Sequence, residues 1–361
     1  MITRERPRLQ GRGQALRQGV RRVAHAGRVL RATVLAGNLL LSATVLGTPA
    51  ASAAAAPAVA APALDLAAID AALEGWRIRD AKRLLGANSM GADARYVQAR
   101  LALAAYQHPQ AVALAAECSR AARSDVQRSR CAEVEAEAIG MEVALSDDDF
   151  GSLGLASRLQ STLQRATRLD PRNVRAHVLH ARFRRMAPWL LGGSASQAAA
   201  GMERAARLAP VLADEFRGID AYDAKAYDRA LPFLKRAARA KPERAAPAFY
   251  LALAQEQRGD LDAARTQMRD VVLRFPEFLD ATYRLAVLEL DVQPARAAQL
   301  LRRYIPLAAA AGSKRIARSW RHLGRAEALL GHREQAIEAY RRTLRLRPDD
   351  DIAQEALARL R

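Results

Sequence analysis

Two histidines, His177 and His180, stand three residues apart on a helical pattern, where two imidazoles could share one metal ion. No third ligand follows at a suitable spacing, so the pair predicts packed or surface side chains and no metal site. The three consecutive acids at 147–149 lack the alternate spacing of a calcium loop. "LGGSAS" at 191–196 lacks the lysine of a phosphate loop, which predicts a turn with Ser194 capping the next helix.

The remaining sequence offers no nucleophile beside a general base and no G-x-S-x-G motif. We therefore expect a protein without enzymatic activity and without a cofactor. An enzyme whose site lies unrecognised in residues 64–173 is kept as an alternative.

The composition favours helices. Of the 361 residues, 50% are hydrophobic and only 5% are aromatic, and Ala, Leu and Arg dominate. From residue 64 onwards nearly every segment shows helical spacing, broken every 30 to 40 residues by Pro or Gly. The pattern predicts an all-α protein with internal repeats.

The first 53 residues resemble a secretory signal peptide. Nine Arg and one acid in the first 31 residues precede an apolar run at 32–47 and small residues suited to cleavage after Ala53, or alternatively after Ala50. The apolar run is shorter than the ~20 residues that span a bilayer, so we favour cleavage over an uncut membrane anchor. We expect a periplasmic protein, or alternatively one anchored to the inner membrane and facing the periplasm.

Four further segments follow the leader. Residues 54–63 are an Ala/Pro-rich linker, and residues 64–173 are divergent helical repeats. Residues 174–348 are the clearest repeats, and residues 349–361 predict a capping helix that begins at an Asp.

The clearest repeat begins at Ala317. Its bulky, small and helix-ending residues occupy regular positions: Trp320, Leu323, Gly324, Gly331, Ala336, Tyr340 and Pro348. This spacing resembles the 34-residue tetratricopeptide repeat, although Glu327 stands where an aromatic is usual and Thr343 where Ala is usual. Frames that start at 211, 245 and 279 repeat the positions of the small residues, but Pro306 ends the third of these early.

The resemblance implies a right-handed solenoid of antiparallel helix pairs whose concave groove binds a polypeptide partner. Among the family's groove positions carried onto this chain, six are predicted to bind the partner: Tyr222, Phe249, Tyr283, Arg318, Arg321 and Arg325. The arginine row favours an acidic partner, since guanidinium groups bind carboxylates through forked hydrogen bonds. A scaffold of the cell envelope follows as the expected function, and an accessory subunit of a solute transporter is the alternative.

The basic charge permits one further partner. The formal net charge is +19, and residues 296–347 alone hold thirteen Lys or Arg against three acids. An anionic membrane surface would attract this segment. Nucleic acid is not expected, because no aromatic residues are interleaved with the bases for stacking.

The repeat frame also implies a pairing of the two cysteines. Cys118 falls near the end of one helix and Cys131 near the start of the next, so a hairpin could place them side by side. In an oxidising compartment such a pair would form a disulfide. Two buried thiols in a cytoplasmic protein are the alternative.

Overall fold

A computed structural model describes residues 64–87, 90–145, 149–308 and 313–360. The predicted leader and linker, residues 1–63, lie outside this part of the chain, as do Asp147 and Asp148. The described residues form 17 α-helices, one 3₁₀ turn at Trp189–Leu191 and no strand. None of these helices has the length and hydrophobicity needed to cross a bilayer.

The helices form eight consecutive hairpins and a final single helix. The first four hairpins consist of α1 Leu66–Glu74 and α2 Ile78–Leu85, α3 Gly91–Ala104 and α4 His108–Ala121, α5 Asp125–Leu145 and α6 Asp149–Leu169, and α7 Val174–Met186 and α8 Ala195–Leu208. The last four consist of α9 Pro210–Asp223 and α10 Tyr227–Ala240, α11 Ala245–Gln257 and α12 Leu261–Arg274, α13 Leu279–Glu289 and α14 Pro294–Leu307, and α15 Ser313–Leu329 and α16 Arg333–Leu346. The single helix α17 spans Asp351–Arg359.

Each helix packs mainly on the helices next to it in the chain, and in the first six hairpins the first helices of successive hairpins also contact one another. Units that pack mainly on their neighbours in this way form an α-solenoid. The predicted all-α solenoid of helix pairs is confirmed. We call the surface made by the first helices, α1 to α15 in odd numbers, the inner face.

The turn inside a hairpin repeats the same backbone geometry in five units. Trp76, Tyr106, Lys225, Gly259 and Gly331 each have a positive φ, between 51° and 88°. In every case the following N–H donates to the carbonyl five residues earlier, a Schellman turn that ends the first helix. The sequence shows glycine at only two of these turns, so the repetition of the structure exceeds that of the sequence.

Small residues let the paired helices approach closely. A Cβ built on Gly218 would lie 2.6 Å from Cγ of Leu234, and one built on Gly324 would lie 2.9 Å from the Tyr340 ring. Both glycines hold the position at which the repeat pattern requires a small residue. The close packing of α9 on α10 and of α15 on α16 depends on them.

The two residues of the last hairpin that depart from the repeat pattern, Glu327 and Thr343, are buried and make polar contacts. Glu327 is buried, and it pairs with Arg302 and with Nδ1 of His332 at 2.9 Å. The Thr343 hydroxyl donates to backbone carbonyls, including that of Ala339 at 3.1 Å. The substituted positions therefore remain part of the packed interface.

Two helix ends can be compared with the sequence prediction. The prediction that Pro306 ends its unit is close: α14 continues one residue further, to Leu307. The predicted Asp cap is Asp350, whose carboxylate accepts the N–H of Ala353 at 3.1 Å and starts α17.

Candidate functional site

The middle of the inner face is closed by its own aromatic side chains. Phe249 is 2% exposed, and its ring lies 4.8 Å from that of Phe278. Tyr222 is half-buried against Tyr250 at 5.5 Å, and burial raises the pKa of its hydroxyl to about 12. Two of the six predicted groove residues are therefore largely withdrawn from solvent in this conformation.

Buried ion pairs close the same face towards the N-terminus. Arg182 of α7 pairs with Asp220 at 3.0 Å and with Asp223 at 2.8 Å on α9. Arg175 pairs with Glu133 of α5 at 2.8 Å. Burial raises the pKa of Asp223 to about 6, and the charge of Arg182 opposes that shift. Polar side chains on this part of the inner face thus serve packing between hairpins.

The inner face changes character at α13 and α15. Tyr283 of α13 is half-buried, and its ring lies 5.2 Å from Tyr304 and 6.0 Å from His322. His322 lies among the predicted arginines on α15, because residues three and four apart share one side of a helix. This pair of hairpins brings Tyr283 and the three predicted arginines into one region, which we call the arginine cluster: Arg284, Arg318, Arg321, His322 and Arg325.

The arginines of the cluster differ in how far they are neutralised. Arg321 pairs with Asp350 at 3.0 Å and is 19% exposed. Arg325 pairs with Asp291 at 2.5 Å, with both side chains more than half exposed, and Arg284 pairs with Glu256. Arg318 is exposed and has no ion-pair partner among the described residues. The cluster keeps a surplus of positive charge facing solvent.

The positive charge of the cluster affects the pKa of His322. Burial, together with the positive charges of Arg321, Arg318, Arg325 and Arg284, lowers the pKa of His322 to about 4, and burial is the largest cause. The imidazole is therefore neutral at physiological pH, and the positive field comes from guanidinium groups that do not lose their protons.

Sequence reasoning missed two members of the cluster, Arg284 and His322. Each is next in sequence to a predicted groove residue, Tyr283 or Arg321. A prediction that included the neighbours of each groove position would have found both. The charge of Arg284 acts on His322 from a different hairpin, and a single repeat pattern does not describe how two hairpins are placed.

The other residues considered for chemistry have structural surroundings. His177 Nε2 lies 3.0 Å from the carbonyl of Pro171, and His180 is buried, with a pKa lowered to about 4 mainly by burial. Within the described ranges, no three side chains of His, Cys, Asp or Glu are grouped as metal ligands. The Ser194 hydroxyl accepts the N–H of Gln197, which places it at the N-terminus of α8 as predicted.

The two cysteines are joined by a disulfide in the structure. Cys118 lies in the last turn of α4 and Cys131 in the second turn of α5, with their α-carbons 5.5 Å apart. Both are buried. The bond links the second hairpin to the third.

Comparisons with known proteins agree with the repeat architecture. Residues 317–360 match a tetratricopeptide repeat family model. No curated protein matches the chain. Among solved structures, PilF of Pseudomonas aeruginosa is 19% identical with a TM-score of 0.45, and the match covers 64% of this chain and 99% of that one.

Two further structures give similar values. PilW, described as a type IV pilus biogenesis factor, is 15% identical with a TM-score of 0.46 over 64% of this chain and 99% of its own. MamA from Desulfovibrio magneticus RS-1 is 24% identical with a TM-score of 0.39 over 42% of this chain and 82% of its own. Likenesses at this level carry no inference about ligands. The family match at 317–360 and the paired-helix packing of the described chain agree with the predicted tetratricopeptide repeat architecture.

Proposed function

We propose that the protein is a non-enzymatic scaffold that binds an acidic segment of a polypeptide partner at the arginine cluster of its last hairpins. One observation carries the proposal: the positive charges of four arginines act on His322, whose ring lies 6.0 Å from the Tyr283 ring. The rest of the predicted groove offers less, because Phe249 is buried and Tyr222 is half-buried.

The cluster suits carboxylates by its chemistry. Arg318 is exposed with its charge uncompensated by the described residues, and a planar guanidinium binds a carboxylate through two parallel hydrogen bonds. Arg325 is held only by an exposed pair with Asp291, and such pairs contribute little stability, so a ligand carboxylate can replace the aspartate. The half-buried ring of Tyr283 provides an apolar contact beside the charges.

The proposed setting is the cell envelope, with the chain exported to the periplasm or held at the inner membrane. Its support is the order of basic, apolar and small residues in 1–53, together with the disulfide between Cys118 and Cys131. N-terminal sequencing of the protein recovered from cells tests the leader separately: a start near residue 54 supports cleavage.

Crosslinking in living cells would identify the partner. A photoreactive amino acid is placed at His322 and, as a control, at Leu273, which is 81% exposed on the second helix α12. We expect a defined protein adduct from position 322 and none from position 273. The same adducts from both positions would contradict a partner site on the inner face.

Charge reversal then tests the chemistry. Changing Arg318 and Arg325 to Glu should lower the yield of the adduct at least tenfold. The matched control reverses Arg229 and Arg239, two exposed arginines on α10, and should leave the yield unchanged. The alternative is a membrane contact. In that case no protein adduct forms, and the variant with Arg318 and Arg325 reversed no longer binds vesicles of anionic lipid. This result would show that the proposal of a polypeptide partner is wrong.

A further inference from the structure

The first hairpin contacts hairpins that lie far along the chain. The Trp76 ring stacks on Phe278 at 4.6 Å with the two planes 13° apart. Arg79 donates its backbone N–H and its Nε to Glu277, at 3.1 and 2.6 Å, across a separation of 198 residues. A Cβ on Gly75 would lie 3.2 Å from the carbonyl oxygen of Glu243, so the end of α1 is closely seated.

A buried ion-pair triad strengthens this contact. Arg244, at the start of α11, pairs with Glu74 of α1 at 2.8 Å and with Glu215 of α9 at 2.8 Å. The three side chains are 2%, 4% and 0% exposed. Such a triad requires complementary charges from three different hairpins to be in place together.

One turn earlier, α1 carries a second acid that meets basic groups of other hairpins. Asp70 pairs with Arg100 of α3 at 3.5 Å and accepts a hydrogen bond from Tyr96 at 3.4 Å. Burial raises the pKa of Asp70, while the charges of Arg100, Arg175 and Arg130 oppose the shift. The two carboxylates of α1 therefore lie four residues apart against arginines of the inner face.

The first hairpin is short. Its helices have nine and eight residues, which is below the length at which isolated helices persist. Trp76 has a φ of 51°, a left-handed conformation that is unfavourable for a residue with a Cβ. The hairpin is also terminal among the described units, where local opening is easiest.

We propose that the α1–α2 hairpin is a detachable internal ligand of the inner face. The surface it covers is then a second binding site, with a defined specificity: a helix that carries two carboxylates one turn apart, followed by a tryptophan. While α1 occupies this surface, the arginine cluster is the part of the described inner face that is open to a partner. When a competing acidic helix displaces it, the middle of the inner face becomes available.

Native-state hydrogen exchange of the full chain tests whether the hairpin detaches. Replacing Trp76 by Ala should speed exchange of the amides of 66–85 at least tenfold and leave those of α5 to α16 unchanged. The matched control is Trp189→Ala, because Trp189 is 85% exposed. An equal loss of protection along the whole chain would show the hairpin to be an integral part of the array and would overturn the proposal.

A synthetic peptide tests the site itself. A fluorescent peptide of residues 64–87 should bind the Trp76→Ala chain at least tenfold more tightly than the unchanged chain, measured by anisotropy. A second peptide carrying Glu74→Gln and Trp76→Ala should lose that binding. Equal binding of the two peptides would show that the surface does not recognise this helix. Neither the exchange experiment nor the peptide experiment alters the arginine cluster. Their results therefore do not test the proposed binding of an acidic segment at that cluster.

Discussion

The inner face has two different halves. From α1 to α11 its charged side chains are buried and paired, as Arg244 is with Glu74 and Glu215. At α13 and α15, Arg318 and Arg325 are exposed, and Asp291, the ion-pair partner of Arg325, is exposed as well. The same residue type therefore stabilises the fold in one half and offers a binding surface in the other, and burial decides which.

The largest expected effect comes from breaking the buried half. Replacing Arg244 by Met leaves Glu74 and Glu215 buried without a positive partner, which should lower the free energy of unfolding by about 3–5 kcal/mol. Denaturant unfolding followed by circular dichroism measures it. Arg325→Met, in the exposed half, should cost less than ~0.5 kcal/mol. Similar losses in the two variants would remove the distinction between the halves.

The disulfide lies in the N-terminal half of the described chain. Cys118 and Cys131 close a loop of 13 residues, so replacing both by Ala should cost about 3 kcal/mol. A reducing agent should reproduce the loss in the unchanged protein and have no effect on the double variant. If reduction left the unfolding curve unchanged, the two cysteines would not be bridged in the purified protein.

Substitutions at the left-handed turns should change stability by smaller amounts, and two of them should act in opposite directions. Lys225→Gly should stabilise the fifth hairpin by about 1 kcal/mol, because glycine accepts the φ of 58° without a Cβ clash. Gly331→Ala, at φ 77° in the eighth hairpin, should destabilise by a similar amount. Thermal unfolding measures both. Shifts of the same sign in the two variants would mean that the turns are not equivalent.

The smallest effect near neutral pH concerns His322. Its pKa in the folded state, about 4, lies below the unfolded value of 6.5. The unfolded chain therefore binds the proton first, and this group weakens stability as the pH falls from 6.5 towards 4. An NMR titration should give a midpoint near 4. Changing Arg318 and Arg325 to Ala should raise the midpoint only in part, because burial is the larger cause, and an unchanged midpoint would refute the contribution of the arginines.

Much of the architecture could be predicted from local spacing. Pro348, Gly324 and Ala336 mark the clearest unit, and their equivalents recur in three further frames. The divergent units were harder, because Trp76 and Tyr106 hold turns where other units have glycine. Their geometry is the same because the backbone hydrogen bonds of the Schellman turn are independent of the side chain.

The site was predictable in part. Arg318, Arg321 and Arg325 follow from the repeat positions, and the structure gathers them around His322. Phe249 follows from the same positions and is nevertheless buried against Phe278. A repeat position predicts the direction in which a side chain points from its helix. It does not predict which residues of other hairpins cover that side chain.

The sequence by itself determined the helix pairs, their small contact residues and the row of arginines, because each depends on neighbours within about one repeat. Only the tertiary structure decided which part of the inner face is open. That outcome depends on contacts between hairpins far apart in the chain, such as the one between Arg79 and Glu277, 198 residues away. No local sequence pattern encodes a contact over that separation.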